Sequence, residues 1–404
     1  MKNKLPNYRF NNFLDSWNIG KLSTIANEFQ SGGTPSTKVM NYWNGKIPWI
    51  QSSDIQKDTL FGVIPQKFIS EEGLQNSSAK LIPQNSIAIV TRVGVGKLAI
   101  IEQNYTTSQD FLSLSNLNGD IFFLVYSLFR MLQKESAQLQ GTSIKGITKE
   151  DLLSKKICLP ESLEEQSAIG YLFRTLDDLL ASYKDNLANY QSLKATMLSK
   201  MFPKAGQTVP EIRLDGFEGE WEVVNLGTLI ENFDEVISGA SGFPIVTSSR
   251  KGLYLQNDYF EGGRTGIDLT LDFHRVPMGY VTYRHMSDDS IFKFNKNNFE
   301  TDVLVSKEYP VFISNDSSDI DFLLYHLNNS RLFLRFSTMQ KLGGTRVRLY
   351  YKNLITYKLA VPTVKEQQAI GTYFSNLGQL ITSYQEKISQ LETLKKKLLQ
   401  DMFI

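Results

Sequence analysis

The chain has 404 residues, enough for two or three domains, of which 41% are hydrophobic and 21% charged. This composition excludes a disordered, collagen-like or low-complexity protein. The 43 Lys and Arg residues nearly cancel the 42 Asp and Glu residues, and the resulting net charge of +1 taken alone argues against a strongly basic nucleic-acid-binding protein.

Short strands and two helices are predicted in the first half of the chain. Apolar runs at 87–90 and 98–101 flank Gly94 and Gly96 and are typical of strands. Asp120 is a favourable N-cap residue before an apolar run, so a helix is predicted to begin there. Residues 164–202 then carry apolar side chains at steps of three and four without a proline, which predicts one long helix.

The second half follows the same order, with strands at 279–283 and 309–313, a helix from Asp319 and a long helix over 365–403. Each long helix has about 40 residues and a length of roughly 60 Å. Its apolar seam is narrow and of the coiled-coil type, so the other long helix is the expected partner. If the halves are related by an approximate two-fold axis, the two helices run antiparallel.

Three blocks of the first half recur in the second half, which makes the chain an internal repeat. The matching sets are Pro6, Arg9, Phe13, Trp17, Leu22 and Phe29 with Pro210, Arg213, Phe217, Trp221, Leu226 and Phe233; Asp120-Ile121-x-Phe123-Leu124-x-Tyr126 with Asp319-Ile320-x-Phe322-Leu323-x-Tyr325; and Glu165-Gln166-x-Ala168-Ile169-Gly170 with Glu366-Gln367-x-Ala369-Ile370-Gly371. Between these blocks, residues 30–118 and 234–318 share no similarity that can be aligned.

The repeat predicts two halves, about 1–203 and 204–404, built on one frame. We predict an α+β protein with a pseudo-two-fold internal repeat, in which an antiparallel coiled coil of the two long helices separates two globular domains. The predicted segments are 1–158 for the first globular domain, 159–203 for the first long helix, 204–360 for the second globular domain and 361–404 for the second long helix.

Composition also bears on metal binding and location. One cysteine, Cys158, and 3 dispersed histidines exclude a disulfide framework and a Cys/His zinc site, so we predict no metal site. The start, from Met1 to Pro6, is basic, but no apolar stretch follows it, so it does not have the form of a signal peptide. The longest apolar-rich run, Ile121 to Phe129, is too short to span a membrane, and we expect a cytoplasmic protein with no membrane partner.

Several motifs resemble the specificity subunits of type I restriction–modification enzymes. The Pro-x-x-Arg-x-x-x-Phe-x-x-x-Trp openings and the Pro…Glu-Gln-x-Ala-Ile-Gly helix starts of both halves are similar to that family. So is Gly32-Gly33-Thr34-Pro35-Ser36-Thr37, followed by Tyr42-Trp43 and Ile47-Pro48-Trp49-Ile50. The resemblance extends over essentially the whole chain, including its two-half layout, except for the two variable regions.

The resemblance implies a DNA-recognition subunit that performs no catalysis itself. Each globular part would be a target-recognition domain for one half of a split, asymmetric site, and the helix pair would set the spacer. The implied partners are double-stranded DNA, two adenine-methyltransferase modification subunits and restriction motor–nuclease subunits. S-adenosylmethionine, ATP and magnesium would belong to these partners, with no cofactor in this chain. The side chains expected to dock the modification subunits lie at the helix starts: Gln166, Ile169, Phe173, Gln367, Ile370 and Phe374.

Candidate DNA contacts in the first half lie on loops rich in glycine, proline or hydroxyl residues. Residues 29–53 contain no acidic residue. Arg92 and Lys97 border a glycine turn and suit guanine edges or phosphates, whereas Asn104 and Gln109 suit adenine. With the loop at 141–146 included, the candidates are Thr34, Ser36, Thr37, Lys38, Tyr42, Arg92, Lys97, Asn104, Gln109, Thr142, Ser143 and Lys145.

In the second half, the stretch from Phe322 to Lys365 contains basic residues and no acidic one. Part of it matches an ordinary solvated helix face, but Lys341-x-Gly343-Gly344-Thr345-Arg346-x-Arg348 is typical of loops that approach a phosphate backbone. The candidates of this half are Arg250, Lys251, Arg264, Arg284, His285, Asn315, Lys341, Thr345, Arg346 and Arg348.

Enzyme motifs do not fit the sequence. A Walker loop ending at Lys97 would need glycine at Thr91 and a hydroxyl residue at Leu98, so a glycine turn between strands is the simpler interpretation. No Asn-Pro-Pro-aromatic methyltransferase motif occurs. Two other functions stay open: a non-enzymatic coiled-coil scaffold whose globular domains bind proteins, and a fused nuclease or methyltransferase, which the missing motifs disfavour.

Overall fold

Two compact units divide the chain, and each contains a segment of both long helices. Unit 1 comprises Met1–Lys184 and Glu386–Ile404, and unit 2 comprises Asp185–Gln385. The structure, a computed structural model, describes residues 5–138, 146–259, 268–341 and 346–404. The division into two globular and two helical segments remains a prediction, because the compact units cut across both helices.

Small, mostly antiparallel sheets form the β-structure of unit 1. Its strands are β1 (Asn18–Lys21), β2 (Ala26–Ser31), β3 (Ile47–Ile50), β4 (Lys67–Ile69), β5 (Ser86–Val90), β6 (Leu98–Ile101), β7 (Thr106–Thr107), β8 (Phe111–Leu117) and β9 (Lys156–Leu159). A four-stranded sheet has the order β2-β8-β5-β6, a three-stranded sheet has the order β4-β3-β7, and β1 pairs with β9. In the second of these, β3 and β7 are parallel. The strands predicted at 87–90 and 98–101 are confirmed as β5 and β6.

The helices of unit 1 are α1 (Glu71–Gln75), α2 (Ile121–Gln138), α3 (Lys149–Ser154) and the first part of α4 (Leu163–Lys200). The predicted start of α2 is confirmed, because the Phe123 N–H donates a hydrogen bond to Asp120 Oδ1 at 2.9 Å. α4 confirms the long helix predicted over 164–202.

Unit 2 contains strands β10 (Glu222–Asn225), β11 (Ile230–Phe233), β12 (Val236–Ser238), β13 (Val246–Ser249), β14 (Gly252–Leu255), β15 (Asp272–Val276), β16 (Val281–Tyr283), β17 (Met286–Ser287), β18 (Phe294–Lys296), β19 (Val303–Ser306), β20 (Val311–Ser314), β21 (Val347–Arg348) and β22 (Lys358–Val361). The sheets have the orders β11-β20-β16-β18 and β12-β15-β19, with the pairs β10-β22, β13-β14 and β17-β21. β16 and β20 confirm the strands predicted at 279–283 and 309–313.

The helices of unit 2 are α5 (Gln256–Tyr259), α6 (Ile320–Asn329), α7 (Arg331–Met339), α8 (Tyr351–Leu354), the last part of α4 and the first part of α9 (Val364–Met402). α6 begins where predicted, with the Phe322 N–H donating to the N-cap Asp319 Oδ1 at 2.8 Å. α9 confirms the long helix predicted over 365–403.

Both units form the same four-stranded sheet, although three of its strands lie in the variable regions, whose sequences do not align. The order β2-β8-β5-β6 in unit 1 corresponds strand by strand to β11-β20-β16-β18 in unit 2. The pair β1-β9 likewise corresponds to β10-β22. The internal repeat therefore extends through the sheet into regions where the sequence showed no similarity.

The end of one long helix completes the core of each unit. In unit 1, Phe403 at the end of α9 lies 5.3 Å between ring centroids from both Phe123 and Phe173. In unit 2, Phe202, just after α4, lies 5.4 Å from Phe322 and 6.3 Å from Phe374. Neither core is closed without the helix from the other half of the sequence.

A buried ion pair joins the opening of each half to its long helix. In unit 1, Arg9 Nε and Nη2 donate to the two carboxylate oxygens of Glu165 at 2.6 and 2.7 Å. In unit 2, Arg213 Nε and Nη2 donate to Glu366 at 2.7 and 2.6 Å. Both glutamate side chains are only 1% exposed. We call each of these bidentate pairs the clasp of its unit.

The glutamine that follows each clasp glutamate ties the long helix to the shorter helix. Gln166 Oε1 accepts a hydrogen bond from the Asp120 N–H at 2.9 Å, and its amide donates to the Pro160 carbonyl at 2.9 Å. Gln367 makes the equivalent contacts in unit 2. A Cβ at Gly170 would lie 2.5 Å from the Phe123 nitrogen, so only glycine fits where the two helices meet.

That the helix starts dock partner subunits stays a prediction, but the structure shows where the six side chains lie. The six predicted docking side chains are all buried inside their own units, with exposures of 4% or less: Gln166, Ile169, Phe173, Gln367, Ile370 and Phe374. The repeated Glu-Gln-x-Ala-Ile-Gly motif thus serves the internal joint of each unit.

Within the described ranges, no helix is both long and apolar enough to cross a membrane. Over the same residues, no group of three His, Cys, Asp or Glu side chains is arranged to hold a metal ion.

Replacing the clasp carboxylate tests its contribution to stability. In Glu165→Gln the Arg9 charge stays in a buried position without a counter-charge, so the free energy of unfolding should fall by about 3 kcal/mol and Tm by about 6 °C or more. The matched control is Glu164→Gln, whose side chain is exposed in the same helical turn and should change stability by less than about 0.5 kcal/mol. Equal midpoints for the two variants in thermal unfolding would contradict a stabilising clasp.

His326 on α6 predicts a pH-dependent loss of stability. It is 5% exposed, lies 2.9 Å from the Tyr357 hydroxyl through Nε2, and burial lowers its pKa from 6.5 to about 4. Unfolding therefore takes up a proton between these pH values, so stability is unaffected above about pH 6.5 and falls as the pH decreases towards 4. The loss at pH 5 should be about 2 kcal/mol.

The measurement compares Tm at pH 7 and pH 5 for the native chain and for His326→Met, an apolar replacement of similar size. The decrease should be clearly smaller in the variant because it has no imidazole to protonate. The same decrease in both proteins would assign the pH dependence to other groups.

Candidate nucleic-acid interface

A short two-stranded ribbon carries the predicted arginines of unit 2. β17 and β21 pair antiparallel, with Met286 opposite Arg348 and Ser287 opposite Val347. The ribbon continues where the Leu349 N–H donates to the carbonyl of the residue before Met286 at 2.8 Å. The chain that follows the loop at 342–345 is therefore fixed beside the end of the four-stranded sheet.

Exposure alternates along the second strand of this ribbon. Arg346, Arg348 and Tyr350 are exposed, whereas Val347 and Leu349 are buried in the core of unit 2. Because successive side chains of a strand point to opposite faces, both guanidinium groups and the tyrosine ring lie on one outward face.

Two of the predicted arginines form surface ion pairs. Arg346 Nε lies 2.8 Å from Asp288 Oδ1, and Arg250 Nη2 lies 2.5 Å from Asp289 Oδ1. The two aspartates follow β17, so they hold the ribbon arginine and the β13–β14 turn at one place. Exposed pairs of this kind contribute little to stability, but they neutralise part of the positive charge of the face.

Among the candidate arginines of unit 2, Arg284 and Arg348 form no ion pair in the described part of the chain, and both are exposed. His285, between them in space, is 3% exposed and its ring stacks on Tyr350 at 5.4 Å. Burial is the main cause that lowers the pKa of His285, and the charges of Arg348 and Arg284 lower it further. The ring of His285 is thus buried against Tyr350 and not presented at the surface, and its contact with DNA stays a prediction.

Asn315 has local hydrogen-bond partners, and its contact with DNA stays a prediction. Its amide donates to the Thr228 carbonyl at 3.0 Å, and its Oδ1 accepts from the Ser317 N–H at 3.0 Å. Asn118 makes the equivalent contact with the Thr24 carbonyl in unit 1 at 3.1 Å. Asn315 is thus a structural residue at the junction of sheet and frame.

The remaining second-half candidates stay predictions. Lys251 lies exposed in the β13–β14 turn beside Arg250, and Lys341 is exposed after α7. Arg264 and Thr345 lie outside the described residues.

In unit 1, a sharp turn between β5 and β6 presents Arg92. Gly94 and Gly96 have φ angles of +89° and +92°, which favour glycine, and this confirms a glycine turn between strands. Arg92 is exposed, whereas Lys97 is half-buried and its Nζ donates to the Ser52 carbonyl at 3.2 Å. Arg92 is therefore the more available cation of the two.

The segment after the loop at 139–145 returns beside this turn. The Ile147 N–H donates to the Thr91 carbonyl at 2.7 Å, and a Cβ at Gly146 would lie 2.9 Å from the same oxygen. This position matches that of β21 beside β17 in unit 2, so the described segments 146–147 and 347–349 lie at corresponding strand ends. Thr142, Ser143 and Lys145 lie outside the described residues.

Two tryptophans hold the loop that follows Gly32 and Gly33. Trp49 Nε1 donates to the Gly33 carbonyl at 3.0 Å, Trp43 Nε1 donates to the Ser36 carbonyl at 3.1 Å, and the two rings meet edge to face at 5.0 Å. A Cβ at Gly32 would lie 2.1 Å from a backbone oxygen of the β7–β8 turn. The Gly-Gly-Thr-Pro-Ser-Thr motif is therefore explained by close backbone packing at Gly32 and by the two indole hydrogen bonds to the loop.

The polar residues of that loop are available at the surface. Ser36, Thr37 and Lys38 are exposed, and Thr34 and Tyr42 are partly buried. Their contact with DNA stays a prediction.

Gln109 and Asn104 lie at opposite ends of the sheet. Gln109 is exposed in the turn where the Asp110 carbonyl accepts from the Thr91 N–H at 2.7 Å, next to Arg92. Asn104 Oδ1 accepts from the Gln84 N–H at 2.9 Å, beyond the other end of β5. Gln109 thus lies at the same end of the sheet as Arg92, and Asn104 lies at the other end.

The sequence-based candidates omitted Tyr350 and the pairing of arginines with Asp288 and Asp289. The alternation Arg346-x-Arg348-x-Tyr350 with apolar residues between them was the signal for Tyr350, because it is the pattern of a half-buried strand. The ion pairs join residues far apart in sequence, and no local pattern identifies them.

At one end of its four-stranded sheet, unit 1 thus presents Arg92 and Gln109, and unit 2 presents Arg284 and Arg348. Guanidinium groups donate to phosphates and to the O6 and N7 atoms of guanine, and amides pair with adenine. These side chains can therefore bind both the phosphates and the base edges of a nucleic acid.

Comparison with known proteins identifies the family. A sequence profile of the type I restriction modification DNA specificity domain matches residues 15–189 and again residues 219–393. The MjaIX type I restriction enzyme specificity subunit of Methanocaldococcus jannaschii is 27% identical over 229 residues, which are 53% of this chain and 52% of that protein. The chain therefore spans about half the length of that relative.

Two further relatives match over nearly the full length. The MjaVIII specificity subunit of the same organism is 21% identical over 412 residues, covering 95% of this chain and 91% of that protein. The crystal structure of the type I restriction–modification S subunit from M. genitalium has the same fold, with a TM-score of 0.60, 17% identity and 99% coverage of both chains. With two profile matches that together exceed half of its length, the chain belongs to the type I restriction modification DNA specificity family and contains two copies of the specificity domain.

Proposed function

We propose that this chain is the sequence-specific DNA-recognition subunit of a type I restriction–modification complex. The main observation in support is that one chain contains two specificity domains. Each domain presents a different set of exposed polar side chains at the corresponding end of its four-stranded sheet. Two different reading surfaces on one frame suit a site with two different halves.

Each unit reads one half of a bipartite, asymmetric DNA site. In unit 2 the contacts are centred on Arg284 and Arg348, and in unit 1 on Arg92 and Gln109. A guanidinium without a carboxylate partner is free to take a phosphate or a guanine edge, so these arginines contribute more than Arg346 and Arg250.

The helices α4 and α9 form an antiparallel coiled coil that sets the spacer between the half-sites. Contacts inside the units support this arrangement. In unit 1, Lys184 pairs with Glu392 at 2.7 Å and Asp177 pairs with Lys395. In unit 2, the rings of Tyr190 and Tyr384 lie 5.3 Å apart. Residues further along α4 thus contact residues earlier in α9, as expected for an antiparallel pair.

The catalytic work belongs to partner subunits. We propose that two adenine-methyltransferase subunits and restriction motor–nuclease subunits assemble with this chain and carry S-adenosylmethionine, ATP and magnesium. Because the helix-start motif is buried, the docking surface for the modification subunits consists of exposed helix residues such as Tyr171, Leu179 and Leu394.

A methylome tests the proposed function. The chain is expressed with its modification subunit in a host without adenine methylation, and methyl-adenine is mapped across the genome. The expected result is one split motif. Exchange of residues 30–118 for those of another specificity subunit should change one half of that motif and leave the other intact.

A complex that forms but produces no new motif would contradict DNA recognition and favour a protein-binding scaffold. A change in both halves after the exchange would contradict the assignment of one half-site to each unit.

The arginines of unit 2 predict the salt dependence of binding. Arg348→Gln should lower the affinity of the chain–modification complex for its motif by about tenfold. If Arg348 meets a phosphate, the slope of log K against log salt should decrease by about 1. Arg346→Gln should have a smaller effect because Asp288 already neutralises that arginine.

Fluorescence anisotropy with a labelled duplex between 50 and 200 mM salt measures both quantities. Lys358→Gln is the matched control, since Lys358 is an exposed cation on β22 of the frame. Equal affinities and slopes for Arg348→Gln and the control would remove Arg348 from the interface.

A further inference from the structure

A cleft in unit 2 contains lysines that lack a carboxylate partner. It has a volume of about 830 Å³ and is bordered by α4, α6, α9 and the β18 strand. Lys296 Nζ donates to both oxygens of Asp321 at 3.0 Å, which satisfies that pair. Lys194 and Lys293 also line the cleft, and neither forms an ion pair within the described residues.

The two free lysines are electrostatically strained. Burial lowers the pKa of Lys194, and burial together with the charge of Lys194 lowers the pKa of Lys293. The two ammonium groups therefore lie close enough to repel each other in a partly desolvated cleft. A bound anion would relieve both the repulsion and the loss of hydration.

In unit 1, the lysine at the equivalent position has a carboxylate partner. Lys395 is the repeat equivalent of Lys194, and its Nζ lies 5.7 Å from the Tyr126 ring centroid, as Lys194 lies 5.7 Å from Tyr325. Lys395 forms an ion pair with Asp177, which also accepts a hydrogen bond from the Tyr126 hydroxyl at 2.5 Å. A carboxylate thus completes the site in unit 1.

The equivalent of Asp177 in unit 2 is Gly378. A Cβ at Gly378 would lie 3.5 Å from Lys194 Nζ and 4.0 Å from the Tyr325 hydroxyl, so the place of the carboxylate is open. The next residue, Gln379, stands where unit 1 has Asp178, and it supplies no charge. The lysine and the tyrosine are kept, and the carboxylate is missing.

We propose that this cleft binds a small doubly charged oxyanion, a phosphate group or a dicarboxylate, which takes the place that the Asp177 carboxylate has in unit 1. Two ammonium groups match two negative charges, and the cleft is much larger than one carboxylate requires. The site is separate from the ribbon of β17 and β21, so it does not depend on DNA recognition.

Thermal unfolding of the full chain tests the proposal. The midpoint is measured at pH 7.5 in about 20 mM sodium phosphate, in about 20 mM sodium succinate and in sodium chloride of equal ionic strength. Phosphate or succinate should raise Tm by about 2–4 °C relative to chloride. A response to one of them identifies the class of anion.

Two variants of equal size separate a specific site from a general salt effect. Gly378→Asp supplies the missing carboxylate, so Tm in chloride should rise relative to Gly378→Asn and the response to the anion should disappear. Gly378→Asn adds the same bulk without charge and should retain the response. Lys293→Gln is an independent test and should reduce the response at least severalfold.

Equal midpoints in all three salts for the native chain would overturn the proposal. So would an undiminished response in Lys293→Gln, or equal responses in the aspartate and asparagine variants, because the anion would then act elsewhere on the chain.

Discussion

The clasp between an arginine near the opening of each half and a glutamate in the first turn of the long helix is the interaction on which each unit is built. Its two parallel hydrogen bonds fix the direction of the helix relative to the frame, and its burial means that neither residue can change alone without leaving an unpaired charge. Gln166 and Gly170, with their equivalents Gln367 and Gly371, then seat the shorter helix against the same turn. The repeated motif is therefore a set of internal contacts, each of which allows one residue type.

The sheets show the opposite relation between sequence and structure. Both units form a four-stranded sheet in the same order from sequences that do not align. A strand needs only apolar side chains on its buried face, so its residues can change while its position stays. The turns at the strand ends are even less constrained, and the exposed Arg92 and Arg284 lie there, with the exposed Arg348 on the short strand β21 nearby. This separation of a fixed frame from free strand ends suits a protein that must acquire new recognition surfaces without losing its fold.

Sequence patterns identified what depends on local or repeated residues and missed what depends on distant neighbours. The long helices were predicted to within two residues, and the N-caps Asp120 and Asp319 were correct, because periodicity and capping are local. Repetition alone could not show whether Gln166 and Phe173 faced a partner or the core. His285 is polar and follows a strand, yet the rings and arginines around it come from other parts of the chain. The separation of Asn104 from Arg92 likewise depends on strand register, which alternation does not give.

The near-zero net charge is matched locally on the basic face, where some arginines are paired with carboxylates. Arg346 and Arg250 are paired with Asp288 and Asp289, so part of the basic face is neutral before any ligand arrives. Affinity for any DNA sequence grows with the number of phosphates that are neutralised, whereas discrimination depends on a few well-placed contacts to base edges. Among the described residues of this face, Arg284 and Arg348 are the candidate arginines left unpaired, and they lie near the buried His285 and the exposed Tyr350. The balance of 43 basic and 42 acidic residues therefore does not argue against contacts to base edges, which need few charges.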